Sequence, residues 1–258
     1  MRRTAPRARS TGVRALLCLV LVGIVVSATA TSATAAKQPP TPIEALDSFA
    51  FKASLSLVGA GGSAVNGFTL DTNGVYVAPS SQKCTVEAGL GSLQIQRSAV
   101  VIGKLVWVDT GNGVKTAKAS DYDFADQCPS DAGFWKQLDF DVPSTIKGKP
   151  ETKNGVKTEH VDLTGTAGQL ASLGLVDQLP ADVTFQTFEA WRATKGGWIV
   201  ALDIIFTAAS SASCSSLLGD SIPVPVAAPC TLHIAYDITR ANDKSLKVTP
   251  PKTSGKSK

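Results

Sequence analysis

Apolar and polar residues alternate along several stretches of this chain, as is typical of β-strands with one buried face. Between Ser48 and Leu57 every second residue is apolar, beginning at Phe49. Because successive side chains of a strand point to opposite faces, this period of two predicts a strand that is apolar on one face only. Further strands are predicted over 68–77 (broken at 71–74), 85–88, 92–97, 100–109, 156–163, 183–192, 198–207 and 231–239.

Short turns connect these predicted strands. A four-residue segment containing two glycines, Thr194 to Gly197, joins two of them as a hairpin. Sequential strands joined by tight turns predict an antiparallel sheet. A helix start is predicted at 41–44 and short helices over 131–138 and 166–173, whereas the rest of 110–153 is expected to be irregular.

The N-terminal segment has the layout of a secretory signal peptide. Five arginines precede an apolar run from Leu16 to Val26, and Ala33-Thr34-Ala35 fits a signal peptidase site. The run is shorter than the ~20 residues that span a bilayer, although an uncleaved membrane anchor is the alternative. Leu17, before Cys18, is too large for a lipobox. We therefore expect a secreted or extracytoplasmic protein of the cell envelope, soluble after cleavage.

The boundaries that follow are a signal peptide over residues 1–35, a linker over 36–40 and a folded domain over 41–243. The last segment, 244–258, is rich in Lys, Pro, Ser and Gly and is expected to be a disordered tail. Without the five arginines of the signal, the 25 Lys and Arg residues no longer outnumber the 21 Asp and Glu residues. This charge balance argues against nucleic-acid binding.

Four cysteines remain outside the signal: Cys84, Cys128, Cys214 and Cys230. An even number in an exported chain predicts two disulfides. Three pairings are possible, and we expect the sequential one, Cys84–Cys128 and Cys214–Cys230. Their irregular spacing argues against zinc, which favours close ligand pairs, so no metal site is predicted.

Candidate catalytic chemistry is sparse. His160 and His233 both alternate with apolar strand residues, which predicts that they lie on the solvent side of the sheet. The sequence contains no HExxH, GxSxG or P-loop motif. A hydrolase would need a Ser or Asp with a base within hydrogen-bond reach. We therefore predict no catalytic residues, no cofactor and a protein that is not an enzyme.

The order of segments resembles the LppX/LprG-type, LolA-like family of exported lipoprotein and lipid carriers, over most of residues 41–251. The stretches that carry the resemblance are "SFAFKASLSL" (48–57), "NGVYVAP" (73–79), "KPETKNGVKTEHVDL" (149–163), "EAWRATKGGWIVALDI" (189–204) and "LHIAYDITRANDKSLKVTPP" (232–251). The resemblance implies an α+β fold. Its parts are a strongly curved antiparallel sheet, forming an unclosed half-barrel, and a few helices packed on the concave face.

In that family a hydrophobic cavity between the sheet and the helices holds acyl chains or lipidated termini. The resemblance therefore implies a lipid or acylated ligand, a transient envelope partner and a role in lipid or lipoprotein carriage, and we expect a monomer. The absence of a lipobox and the four cysteines depart from the family pattern. The alternative is a secreted structural or regulatory interaction domain without a ligand. Strand phase gives the candidate cavity residues: Phe51, Leu55, Phe68, Trp107, Phe185, Ile199, Ile234 and Tyr236.

Overall fold

The computed structural model describes residues 43, 46–60, 67–109, 111–118, 146–166, 180–217 and 226–251. These residues form one antiparallel sheet of 11 strands and one short helix, α1 (Ser211–Ser216). The strands are β1 (Ser48–Val58), β2 (Phe68–Val77), β3 (Ser81–Leu90), β4 (Leu93–Ile102), β5 (Leu105–Asp109), β6 (Val114–Lys118), β7 (Lys149–Lys153), β8 (Val156–Thr166), β9 (Val183–Ala193), β10 (Ile199–Ala208) and β11 (Cys230–Thr239).

The strand order is β6-β5-β4-β3-β2-β1-β11-β10-β9-β8-β7. The first and last strands of the chain are therefore neighbours at the centre, and the described sheet ends at β6 on one side and β7 on the other. The predicted antiparallel, unclosed sheet is confirmed, and this order is consistent with a curved LolA-like sheet. Helices on a concave face stay a prediction. The helical segment predicted over 131–138 lies outside the described residues, and so does the segment predicted over 166–173 except for its first residue, Thr166, which ends β8.

Strand β2 is continuous, although its sequence predicts a break at Asp71 to Gly74. The sheet tolerates Gly74 because the ring of Phe51 lies over it. A Cβ atom at this position would be 2.5 Å from Phe51 Cζ and would also collide with the carbonyl oxygen of Lys83. Gly74 therefore fills a strand position where a larger residue would collide with its neighbours.

Strands β6 and β7 lie in a region that the sequence predicts to be mostly irregular, so that prediction is wrong for these two segments. Both are short and rich in lysine, and both form an outer edge of the described sheet. Exposed edge strands bury little apolar surface, so the alternation that predicts a strand is weak in them.

The two faces of the sheet differ in polarity. We call the apolar face the one that carries Phe51, Leu55 and their cross-strand neighbours Ile238 and Ile234. The opposite, outer face carries polar residues such as Lys52 in β1. Most buried hydrophobic residues belong to one cluster that spans the central strands. Burial of this face is the main stabilising contribution that the sheet offers.

Two structural disulfides agree with the predicted count, and one pairing is confirmed. Cys214 of α1 is bonded to Cys230 at the start of β11, with a Cα–Cα distance of 5.9 Å. Cys84 is also disulfide-bonded. Cys128, its expected partner, lies outside the described residues, so the Cys84–Cys128 pairing stays a prediction. A disulfide fits an oxidising compartment.

A turn after β11 fixes the start of β1. The backbone N–H of Asn242 donates to the carbonyl oxygen of Ser48 over 2.7 Å, and Asn242 Oδ1 accepts from the N–H of Asp47 over 2.8 Å. The Ser48 hydroxyl donates to the carbonyl oxygen of Asp243 over 3.0 Å. Leu246, beyond the predicted domain boundary, is buried.

The carboxylate of Asp243 makes this turn sensitive to acid. Hydrogen bonds from Ser245 and then from Arg240 lower the pKa of Asp243 to about 2. A lowered pKa in the folded state stabilises the fold fully above the unfolded pKa of about 4, and the contribution is lost as the pH falls toward 2. We expect Asp243→Asn to be less stable at pH 6 and to lose less stability between pH 4 and pH 2.

The measurement is urea unfolding at several pH values for the wild type and the variant. Asp71→Asn, which changes an exposed carboxylate on the outer face, is the matched control. If the stability difference between the wild type and Asp243→Asn stays constant from pH 6 to pH 2, the proposed role of this carboxylate is wrong.

Candidate ligand-binding face

The apolar face is built by direct cross-strand pairing of large side chains. Leu55 lies opposite Leu70 on one side and Ile234 on the other, and Ile234 lies opposite Ile204 in β10. Ile204 in turn lies opposite Phe188 in β9. Such rows of apolar residues across adjacent strands form a continuous hydrophobic surface, which is the type of surface that contacts acyl chains.

Seven of the eight predicted cavity residues belong to the core cluster. Their exposed fractions lie between 3% and 9%, so their side chains are covered: Phe51, Leu55, Phe68, Phe185, Ile199, Ile234 and Tyr236. Ile199 lies beside a register shift between β9 and β10, where alternation no longer identifies the face. The lining of a cavity by these residues stays a prediction.

Trp107 lies on the other face of the sheet. Its partner across β4 is Val100, whose partner across β3 is Lys83. The neighbouring residues Val106 and Val108 are the ones whose side chains lie on the apolar side, where they form a small buried cluster with Val101. Trp107 is half-buried. Because it lies on the outer face, the sheet separates it from the candidates on the apolar face, such as Phe51 and Leu55.

Charged residues also occur on the apolar side, toward both ends of the sheet. Arg192 of β9 lies opposite Glu159 of β8, and its Nη2 donates to Glu159 Oε2 over 2.5 Å. This hydrogen bond from Arg192 lowers the pKa of Glu159. At the other end, Arg97 of β4 lies opposite the buried Val86 and is half-buried.

His160 lies on the outer face, as predicted, but neighbouring side chains cover most of it. Its ring stacks on Trp191 with centroids 4.4 Å apart and an interplanar angle of 8°. Nδ1 lies 3.0 Å from Glu151 Oε2, which also accepts from Trp191 Nε1 over 3.3 Å. The side chain is 19% exposed. His160 therefore lies on the predicted face of the sheet. It is less exposed than the prediction implies, because Glu151 of β7 lies against its ring.

Nε2 of His160 is buried and has no hydrogen-bond partner in the described part of the chain. The nearest carboxylate oxygen, Glu189 Oε1, is 3.8 Å away, within ion-pair range but too far for a hydrogen bond. His233 is more open, with Nε2 3.0 Å from Asp203 Oδ1 and a side chain that is 39% exposed. Within the described ranges no three His, Cys, Asp or Glu residues converge as metal ligands would.

A serine and an aspartate do meet near α1, and their role there is structural. The Ser213 hydroxyl donates to Asp182 Oδ1, and the N–H of Ser210, the N-cap residue, donates to Asp182 Oδ2 over 2.9 Å. Hydrogen bonds from Ser213 and Ser210 lower the pKa of Asp182. A carboxylate held in its ionised form by the cap of a helix ties β9 to α1.

No helix among the described residues has both the length and the apolar character needed to cross a membrane.

No family model and no curated protein sequence matches this chain. Among solved structures it is similar to LprF from Mycobacterium bovis, with 12% identity over 82% of this chain and 93% of that chain and a TM-score of 0.35. It is also similar to the LolA superfamily protein NE2245 from Nitrosomonas europaea, with 9% identity over 82% and 93% and a TM-score of 0.26.

A DUF1329 family protein from Desulfovibrio piger is 9% identical over 80% of this chain and 89% of that chain, with a TM-score of 0.23. Two of these names, LprF and a LolA superfamily protein, are of the family type that the sequence resembles.

Proposed function

We propose that this chain is an exported binding protein that holds a lipid or an acyl chain against the apolar face of its sheet and acts in cell-envelope lipid or lipoprotein carriage. The observation that carries the proposal is the continuous row of large apolar side chains across the central strands, from Leu70 through Leu55 and Ile234 to Phe188. An extended apolar surface of this kind gains about 0.8 kcal/mol for each ligand CH₂ group that it removes from water.

The chemistry of the described residues supports binding rather than catalysis as the proposed role. The histidines contact carboxylates on the outer face, whereas the row of large apolar side chains from Leu70 to Phe188 lies on the apolar face. The Ser213–Asp182 pair is committed to capping α1. The proposal therefore assigns the apolar face to ligand binding and assigns no reaction to the protein.

A second candidate is an interaction domain whose core is filled and which takes no ligand. The observation that favours it is the burial of the apolar face: Phe188, Ile204 and Leu232 are at most 1% exposed. A filled core and an enclosed acyl-binding cavity both bury such residues, so the two candidates differ in whether an apolar molecule occupies part of the space.

The test is mass spectrometry of organic extracts from protein secreted by its native host and purified without detergent. We expect a stoichiometric lipid in the wild type. Leu55→Trp and Ile234→Trp, which enlarge two directly paired residues, should reduce the bound lipid by about fivefold or more, because overfilling a packed site costs about 1–3 kcal/mol.

Ser54→Trp is the matched control, since it adds the same ring one residue away on the outer face of β1. It should leave the amount of lipid unchanged. Clean wild-type protein that also takes up no added acyl probe would overturn the carrier proposal and support the interaction domain, to be pursued by capture of its partner.

A further inference from the structure

Strand β5 covers only half of β4. It pairs with Ser98 to Ile102 and ends at Asp109, opposite Ser98. The remaining half of β4, Leu93 to Arg97, pairs with β3 on one side, and no described residue pairs with it on the other. We call this half, Leu93–Arg97, the open β4 edge.

Two residues of the open β4 edge present their backbone groups to the side away from β3, where no residue of the described ranges pairs with them. Leu90 and Leu93 close a two-residue hairpin, and the closing pair of such a hairpin exchanges both of its backbone hydrogen bonds. The N–H and C=O groups of Leu93 therefore face β3, and by alternation those of Gln94 and Gln96 face away from β3. Both glutamines are exposed.

The open β4 edge also differs from the two outer edges in composition. Lysine and proline commonly block unwanted pairing at exposed strand edges. Strand β6 carries Lys115 and Lys118, and β7 begins Lys149-Pro150. The open β4 edge, Leu-Gln-Ile-Gln-Arg, contains neither residue type, and Leu93 is 55% exposed. The open β4 edge is therefore less protected against pairing with another strand than β6 and β7 are.

We propose that the open β4 edge pairs antiparallel with the same edge of a second copy of this chain. A two-fold axis through Ile95 places Ile95 opposite Ile95 of the partner subunit and Gln94 opposite the partner's Gln96. Because the backbone groups of these glutamines face away from β3, the two Gln pairs form four backbone hydrogen bonds across the interface. The pairing uses the whole open edge and stops at Ser98, where the pairing of β4 with Asp109 of β5 starts.

The side chains of this arrangement are mutually compatible. Leu93 lies opposite the partner's Arg97, where its exposed apolar surface packs on the methylene groups of the arginine. The two Arg97 residues are about 14 Å apart along the strands, since a strand rises ~3.4 Å per residue. That separation exceeds the Debye length of ~8 Å at physiological ionic strength, so their mutual repulsion is screened. The contact is short, so the dimer is weak.

The experiment is sedimentation equilibrium of the purified full protein from micromolar to millimolar concentration, with Leu93 replaced by each sign of charge. Leu93→Arg places an arginine opposite the partner's Arg97 at both ends of the interface and should weaken the dimer. Leu93→Glu places a carboxylate there and should strengthen it. Because two cross-strand pairs change, we expect the dissociation constants of the two variants to differ by about tenfold or more at low salt.

The other exposed leucine provides the control. Leu105→Arg and Leu105→Glu change a residue that is 46% exposed and lies outside the open β4 edge, so their dissociation constants should agree within about twofold. Both substituted positions are exposed, so all four variants should retain the wild-type circular dichroism spectrum. A wild type that stays monomeric up to millimolar concentration, or Leu93 variants that dimerise equally well, would overturn the proposal.

Discussion

Phe188→Ala is expected to lower the free energy of unfolding by about 3–5 kcal/mol, because it truncates an aromatic side chain at the centre of the core. Phe188 is 0% exposed and lies between Leu163 of β8 and Ile204 of β10 in the register of the sheet. Truncation removes the buried contacts of the aromatic ring and leaves a cavity. The neighbouring side chains can fill this cavity only in part, because the strands hold their backbones in place. Urea unfolding followed by circular dichroism measures the change.

Two further substitutions serve as references for the stability loss of Phe188→Ala. Phe188→Leu keeps most of the apolar volume and should cost less than Phe188→Ala. Leu93→Ala alters a side chain that is 55% exposed and should change stability by less than about 0.5 kcal/mol. A loss below about 1 kcal/mol for Phe188→Ala would contradict a packed core at β9. It would instead indicate an open space beside Phe188, which favours a ligand cavity over a filled interaction domain.

The long strands at the centre of the sheet could be predicted from the sequence because one of their faces is buried and the other is exposed to solvent. The alternation from Ser48 to Leu57 corresponds to β1, and the predicted strand over 231–239 corresponds to β11. These two strands pair with each other although the chain between them contains most of the protein. Local alternation could not predict that β1 and β11 are neighbours, because their pairing joins residues that are distant in sequence.

The predictions failed where the pattern was weak or ambiguous. Trp107 lies in a continuous apolar run from Leu105 to Val108, and a run without alternation does not reveal which residues face the core. In addition, the turn at Gly103-Lys104 divides what the sequence predicts as one strand and resets the pairing between β4 and β5. The sequence predicted a break at Gly74, because the ring of Phe51 that covers this glycine belongs to another strand and is not visible in the local pattern.

The same limit applies to the candidate functional features. The residue type alone predicted no role for Arg97, because its half-buried position on the apolar side follows from the register of β3 and β4. The cover over His160 comes from Glu151 and the stacked Trp191, which lie on neighbouring strands β7 and β9. The open β4 edge is visible only when the lengths of β4 and β5 are compared in the sheet.

Removal of the Cys214–Cys230 disulfide is expected to lower the free energy of unfolding by about 3 kcal/mol. The two cysteines are 16 residues apart, and the bond restricts the unfolded chain by closing that loop. It also ties α1 to the first residue of β11, next to the buried Leu232. The variant is Cys214→Ala combined with Cys230→Ala, which leaves the bond at Cys84 in place, and urea unfolding without reductant measures its stability.

Ser211→Ala, which changes an exposed residue of the same helix, is the control for local effects on α1 and should cost less than about 0.5 kcal/mol. Addition of reductant to the double variant then reports on the bond at Cys84 alone, and peptide mapping under non-reducing conditions identifies its partner. If the double variant loses less than about 1 kcal/mol, closure of this loop does not stabilise the fold, and only the bond at Cys84 could make its stability depend on an oxidising compartment. If the loss is near 3 kcal/mol, α1 and β11 depend on that compartment as well, because a reducing environment would remove the bond that holds them together.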